Sequence, residues 1–561
     1  MMDRTWDYKL WKPSSTPLTN GGGRLQKKAI LELQTIIITI TKNINDMPYL
    51  HAFWMQRGGY LLQLGYPELS AADAYKSILL CNAGLDYTSS LGEAARFDTA
   101  MHTLLVDDMI WGLDEDGIRN FVDGIIAITR KNSYITLVQA MMELSAFPEA
   151  IKTCIEASHL HASDSAEFDD IRRAAQFQFD NHARIYSQQE SPFYEKKRLL
   201  SFGSYYVRIY PWLPAEYRSR SAASIQDANQ HLKKVSTCLE IRSSSVGGRA
   251  INQDEFLCCG VFATKRIAKG QTIISEKHPF AVSFEQPEVH CGSCFTDLTS
   301  CATIHSRECC SVYRYCSSHC EKIARCYHSA ICGKSFSEIL EIAHTSYGGK
   351  WEGKGYPEGK TALSHYTGWT DKTEREREDD DYRFAFPDHT PVFLTRFLAM
   401  IIQAGCEPLE HPVISPLMPH ESSKMMWSLN GMVSGPIKAL QIIGVDIFAD
   451  RRFDTWILLT MWNRIKNNCM GSDIGVPNKT FSPSYSWFNH SCSYNAEMVV
   501  PKSELACDVE IKAVKTIQKG EEVFVTYVPT ETLALKKSER HKVLRSWFGA
   551  ACLCQRCLKE Q

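Results

Sequence analysis

The sequence predicts an α+β protein of several domains, and three observations carry that prediction. From about residue 25 to 235, apolar residues recur at three- and four-residue spacing, the period of packed helices. Beyond Ser243-Ser244-Ser245-Val246-Gly247-Gly248, a linker by composition, the texture changes to short β-branched runs. Of the 21 cysteines, nine lie between Cys291 and Cys332 and three in the last ten residues, so thiols are concentrated rather than spread.

Composition narrows the class. A chain of 561 residues holds about two to four domains. The apolar share of 44% and charged share of 22% are those of an ordinary soluble globular protein. The 62 basic and 64 acidic residues leave a net charge of −2, which gives no chain-wide attraction to nucleic acid or an anionic membrane. The opening "MMDRTWDYKLWKPSS" has no apolar core of a secretory signal, and Ile36 to Ile40 is far too short to span a bilayer. The expectation is a soluble intracellular protein, cytoplasmic or nuclear. In a reducing compartment, clustered cysteines point to zinc rather than disulfides.

Taken in order, residues 1–24 are polar, end in Gly21-Gly22-Gly23, and read as a disordered tail. Residues 25–245 read as a helical N-terminal domain. Within it "YLHAFWMQRGGYLLQLGYPELSAADAYKSILL" (49–80) gives a helix, a Gly-Tyr-Pro turn and a second helix, with Ala71, Ala72 and Ala74 small enough for close packing. This resembles one tetratricopeptide-type (TPR) unit; without a fixed repeat period, a generic helical hairpin fits equally. Residues 246–290 carry the strands "CCGVFATKRI" and "GQTIISEKHPFAV". The cysteine-rich 291–332 follows, then 333–455 with a polar loop, "EREREDDD" (374–381), and the helix "PVFLTRFLAMIIQAG". Residues 456–530 and 531–561 hold the remaining motifs.

Cys291-x2-Cys294 is a two-thiolate knuckle whose spacing lets both sulfurs reach one tetrahedral ion. Cys316-x3-Cys320 and His328-x3-Cys332 each place two ligands one turn apart, on what reads as a single helix. The string "YCSSHCEKIARCYHSAIC" resembles the second half of a MYND zinc finger. That resemblance implies Cys291, Cys294, Cys316 and Cys320 around one zinc, and Cys310, His328 and Cys332 around a second. Arg307 stands where the family usually has a further cysteine, which leaves Cys301, His305 and Cys309 as alternatives for the fourth ligand. Cys326 matches no ligand position and reads as a buried thiol.

Asn489-His490-Ser491-Cys492, then Gly520-Glu521-Glu522 and Tyr527, then Cys552-x-Cys554-x2-Cys557, resemble in that order the catalytic half of a SET-domain protein lysine methyltransferase. With the finger, the resemblance is to the SET- and MYND-domain (SMYD-type) family. It implies a SET β-fold with a pseudoknot, split by the inserted finger and closed by a post-SET zinc loop. S-adenosylmethionine would meet Gly260, Val261 and Phe262 on the opening strand, and Asn489 and His490. Cys258 replaces the first glycine of that strand, where a left-handed backbone would strain any residue with a Cβ. Tyr527 would orient the lysine amine and the methyl group. Asn495 matches the family's second asparagine, and Glu521 and Glu522 read as structural. Cys492 would complete a zinc site with Cys552, Cys554 and Cys557, and Trp547 and Phe548 would line the lysine channel. The implied function is methyl transfer from S-adenosylmethionine to protein lysines, histone or other, with two or three structural zinc ions. The alternative is a SET and MYND scaffold without turnover. Substrate proteins, and proline-rich or other ligands of the finger, are the expected partners, with no direct nucleic acid and no membrane.

Overall fold

The computed structural model describes residues 2, 6–7, 11, 27–106, 113–187, 200–218, 220, 222–244, 258–277, 280–282, 289–294, 296–339, 390–417, 424–466, 468–472, 478–499, 508–548 and 551–560. The acidic run 374–381 and the Gly247-Gly248 end of the linker lie outside these.

Among the described residues, seven helices open the fold: α1 Lys27–Asp46, α2 His51–Gln63, α3 Pro67–Leu85, α4 Ser90–Val106, α5 Glu115–Glu143, α6 Phe147–Leu160 and α7 Ser165–Ser187. The turn between α2 and α3 forms where the sequence places it. Gly65 takes φ +86°, and Pro67 sits at the start of α3, where its missing N–H costs nothing. Ala71, Ala72 and Ala74 are fully buried on α3. A Cβ at Gly58 on α2 would lie 3.2 Å from the Ser70 carbonyl, so the two helices meet nearly backbone to backbone.

The described part of the predicted tail is not loose. Trp6 is buried with its ring 4.5 Å from Trp212, and Trp11 Nε1 donates to the Leu64 carbonyl at 3.1 Å. Two large aromatics anchor what composition alone reads as polar.

Fourteen strands follow among the described residues: β1 Gly203–Tyr206, β2 Leu239–Ser243, β3 Cys259–Ala263, β4 Thr272–Lys277, β5 Phe280–Val282, β6 His305–Arg307, β7 Cys310–Tyr315, β8 Lys424–Trp427, β9 Cys469–Ser472, β10 Asn478–Phe481, β11 Asn489–His490, β12 Ala496–Val499, β13 Asp508–Ala513 and β14 Glu522–Val525. Their sheets run β11-β14-β3-β2, β12-β13-β4 and β5-β10-β9, with pairs β1-β8 and β6-β7. Leu239–Ser243, assigned from sequence to the helical domain and linker, is instead an edge strand antiparallel to β3, and the helix Ala222–Val235 packs on it. The boundary between the helical part and the β module therefore falls before residue 222, not near 245.

The helical part is not a separate unit either. One apolar core joins α1–α7 to the finger, to the helix Thr390–Ala404 and to Thr455–Lys466. At its centre Arg57 forks onto Asp73 (2.7 and 2.8 Å) and reaches Asp454 at 3.2 Å. Arg451 and Lys76 also meet Asp454, and Arg57, Lys76 and Arg451 all lie over the Trp54 ring. This network pins α2 and α3 to the segment that leads into β9 and the site.

Candidate functional site

Three short segments build the site: β3, β14 and the stretch 482–495. β11 pairs parallel to β14, Asn489 opposite Phe524 and His490 opposite Val525, and Ser491 N–H continues the ladder to the Val525 carbonyl. Asn495 fastens the same stretch a second time. Its Oδ1 accepts from Phe524 N–H at 2.7 Å and its Nδ2 donates to the Glu522 carbonyl at 2.9 Å. The side-chain amide adds to the short β11 pairing on β14, which keeps buried backbone groups satisfied.

Gly260 is required by contact rather than by conformation. A Cβ there would fall 2.0 Å from Glu522 Oε1 and 2.8 Å from Asn489 Nδ2. That space is filled by the amide–carboxylate pair itself: Asn489 Nδ2 donates to Glu522 Oε1 (2.8 Å) and to the Cys259 carbonyl (3.0 Å), and Ser244 Oγ donates to both Glu522 oxygens. Burial raises the Glu522 pKa, and Asn489 and Ser244 oppose the shift. Glu521 receives Gln518 N–H at 2.9 Å, closing the turn at Gly520. Val261 directs its side chain into the core, and Phe262 is half-buried with the Arg242 guanidinium 4.0 Å from its ring centre. The strain anticipated at Cys258 is absent, since among the described non-glycine residues only Ser145 has positive φ.

Tyr527 follows β14 directly. Its hydroxyl donates to the Phe488 carbonyl at 2.5 Å, and its N–H donates to His490 Nδ1 at 3.0 Å. Because Nδ1 accepts, the His490 proton sits on Nε2, which points at Cys492 Sγ 3.4 Å away. Burial pushes the Tyr527 phenol well above its ordinary range, so it stays a neutral hydrogen-bonding group. Burial likewise pushes His490 down to about 4, so the ring is neutral at physiological pH.

Cys492, Cys552, Cys554 and Cys557 come together, their sulfurs within 4.8 Å of one another and all four buried. Cys291, Cys294, Cys316 and Cys320 form a second such set. Four thiolates about 2.3 Å from one ion would stand just under 4 Å apart. Cys294–Cys316 at 3.4 Å, Cys316–Cys320 at 3.6 Å and Cys492–Cys557 at 3.6 Å are close to that. Both donor sets fit zinc.

The third set is Cys309, His328 and Cys332, with the adjacent Cys310 outside it. His328 Nε2 faces Cys309 Sγ at 3.4 Å while Nδ1 is paired with the Tyr315 hydroxyl at 3.0 Å, which orients the ring for ligation through Nε2. Of the three alternatives for the missing ligand, the structure brings Cys309 to the cluster. Cys310 stays near Cys332 as well, within its hydrogen-bonding reach. Cys301 turns back to the Asp297 carbonyl, and His305 pairs in β6 with Tyr315. The single helix expected here is two, Ser318–Ala324 and His328–Ile331, and Cys326 in the break between them is exposed, not buried. The side chains of Trp547 and Phe548 lie outside the described residues.

Sequence reasoning missed Arg220, Ser244 and Glu276. Glu276 on β4 accepts from Ser482 Oγ (2.6 Å) and Ser484 Oγ (3.0 Å) and pairs with His231 Nε2 (2.9 Å), fixing the turn that feeds Tyr485–Trp487 into the site. None carries a local signal, because each acts on residues more than forty positions away.

Comparison with known proteins agrees with this geometry. The SET domain family matches residues 259–528. The protein-lysine N-trimethyltransferase SMYD5 of Homo sapiens is 32% identical over 93 residues, which is 17% of this chain and 20% of that protein; the Mus musculus protein matches to the same extent. The Danio rerio protein is 33% identical over 72 residues, 13% of this chain and 17% of its own length. The alignments thus span about a fifth of the length of these relatives or less. A solved SET domain of LSMT bound to lysine and AdoHcy shares 13% identity and a TM-score of 0.24, covering 59% of this chain and 57% of that one. Residues 259–528, just under half of the chain, are thus similar to the SET domain family, and the paired β11 and β14 and the cysteine clusters lie in and around that stretch.

Proposed function

We propose that this protein is a protein-lysine N-methyltransferase that uses S-adenosylmethionine, with Tyr527 as its catalytic residue and zinc as a structural component. The observation that carries the reading is the fixed position of the Tyr527 hydroxyl, tied to the Phe488 carbonyl one residue before the Asn489–Glu522–Gly260 cradle. S-adenosylmethionine, when bound, supplies the methyl group as an electrophile on a sulfonium. Everything else falls to the chain. Methyl transfer to an amine is an in-line displacement, so the residues must orient the amine, exclude water and receive it uncharged. A neutral phenol fixed by a carbonyl can accept from an amine N–H and orient its lone pair. No strong base is needed if the amine loses its proton to solvent first.

Cys492, Cys552, Cys554 and Cys557 would tie the C-terminal segment over this site through His490. The MYND-like finger and helical face are assigned to protein partners, and the cytoplasm or nucleus to the site of action. No described helix is long and apolar enough to cross a membrane.

The test is calorimetric titration of zinc-loaded protein with S-adenosylmethionine, followed by transfer of labelled methyl to protein lysines. Tyr527→Phe is expected to lower turnover about 10²-fold, the scale set by lost orientation, with donor affinity nearly unchanged. Wild type that binds no donor, or a Tyr527→Phe variant of full activity, would sink the assignment.

A further inference from the structure

One buried side chain on β11 touches both chemistries of the site. The two ring nitrogens of His490 face different centres: Nδ1 accepts from the Tyr527 N–H at 3.0 Å, and Nε2 lies 3.4 Å from Cys492 Sγ. The pairing of β11 with β14 ends where Ser491 N–H meets the Val525 carbonyl, two residues short of Tyr527. Beyond that point the imidazole takes over, its ring centre 5.4 Å from that of the phenol. The Tyr527 hydroxyl is tied in turn to the Phe488 carbonyl, beside Trp487 and the Arg220 guanidinium that lies over its indole.

The contact with the cysteine has a direction. A neutral ring whose Nδ1 accepts carries its proton on Nε2, which therefore donates to the sulfur. A zinc-bound Cys492 is a thiolate, a better acceptor than a thiol. Arg540 Nη2 donates to Cys557 Sγ at 3.6 Å and Arg556 Nη1 to the Cys492 carbonyl at 3.4 Å, both from the C-terminal segment. His490 reaches the same cluster from β11. Turning its ring over would put Cδ2 where Nδ1 stands and take the acceptor away from the Tyr527 N–H. A bond from Nε2 to a metal-held thiolate keeps the ring as it is, the usual effect of an outer-shell partner on orientation.

We infer that the His490 imidazole is a positioning residue through which the centre of Cys492, Cys552, Cys554 and Cys557, once it holds zinc, fixes Tyr527. Its use rests on the methyltransferase reading, since the phenol must meet the amine and the methyl group in one geometry. The family resemblance assigns His490, with Asn489, to contact with the methyl donor. The two bonds of the imidazole give the side chain a separate task, between metal and phenol.

Two variants each keep one of the bonds. His490→Asn retains an acceptor near the Nδ1 position but is too short to reach Cys492. His490→Gln retains an amide N–H near the Nε2 position and offers no acceptor at Nδ1. Two readouts need neither donor nor turnover: hydrogen exchange of the Tyr527 N–H in zinc-saturated protein, and alkylation of Cys552, Cys554 and Cys557 against graded chelator. His490→Asn should give up the tail zinc at about tenfold lower chelator strength, the scale of a lost outer-shell bond, with Tyr527 exchange within about twofold of wild type. His490→Gln should do the reverse, with Tyr527 exchange about tenfold faster, the scale of one hydrogen bond, and zinc retention within about twofold. Its kcat should fall although its zinc is kept. Both variants moving both readouts alike, or neither variant moving either, would overturn the assignment and leave His490 as core packing. The expected split in a wild type that transfers no methyl group would remove the methyltransferase reading and leave the link between zinc and Tyr527 standing.

Discussion

The helical part and the β module are held together in different ways. The first is organised round one apolar core that runs from Met2 to Phe481 and encloses an ion-pair network on Trp54. The second has a smaller core, from Leu232 to Val525, and its functional stretch hangs on single polar side chains: Asn495, Glu522 and Glu276. Among the described residues, the apolar cluster at its C-terminal end is Cys492, Val528, Leu533, Leu544 and the tail cysteines. Burial suffices where many helices pack. Where the apolar core is small, directional bonds and cysteine clusters take over.

Metal removal should separate the two most strongly. Structural zinc contributes about 10–16 kcal/mol of apparent binding free energy, far more than the few apolar side chains at the C-terminal end can replace. A strong chelator, or Cys492→Ser, is expected to abolish hydrogen-exchange protection across 530–560 and donor binding with it. Protection in α2 and α3 should persist after Cys492→Ser. Equal loosening of α2 and α3 in that variant would show that the two parts share one cooperative unit.

The reverse perturbation is Asp454→Asn. Burial alone would raise this carboxyl, but Arg451, Arg57 and Lys76 hold it well below the usual range. Removing the charge takes the Asp454 partner from Lys76 and Arg451 and leaves Arg57 with Asp73 alone, a loss of about 3–5 kcal/mol for a broken buried pair. Urea unfolding should report that loss with zinc content unchanged. A variant of wild-type stability would mean that the network is incidental to packing.

Much of this was legible in the sequence, and the part that was not has a common cause. Helical periodicity and the Gly65–Pro67 turn act over a few residues, and Cys492 was tied to the tail by family resemblance. What escaped is long-range or a choice between neighbours. Arg57 and Asp454 are 397 positions apart, and nothing near either names the other. Strand β2, read as helical-domain end and linker, is recognisable only through its partner β3. Cys309 and Cys310 are adjacent, so spacing cannot tell which sulfur faces His328. Gly260 was singled out, but for close approach to a cofactor. The structure shows that Glu522 and Asn489 already occupy the space a Cβ would need.

The smallest expected effect is one of pH, and it belongs to the helical part. His51 is fully buried, with Nε2 3.1 Å from the Thr99 hydroxyl, and burial pushes it down to about 4 from an ordinary 6.5. Above pH 6.5 the ring is neutral whether the chain is folded or not, so it adds no pH dependence. Below 6.5 the unfolded chain takes up a proton that the folded one refuses, and stability falls as the pH drops toward 4. The slope approaches about 1.4 kcal/mol per pH unit, or about 3 kcal/mol over that window. His51→Gln has no such proton to bind, so its urea midpoint should fall less steeply between pH 6.5 and 4 than that of wild type. Parallel profiles would mean that His51 is already protonated in the folded state. The apolar packing around α2 would then be wetter than the contrast with the β module requires.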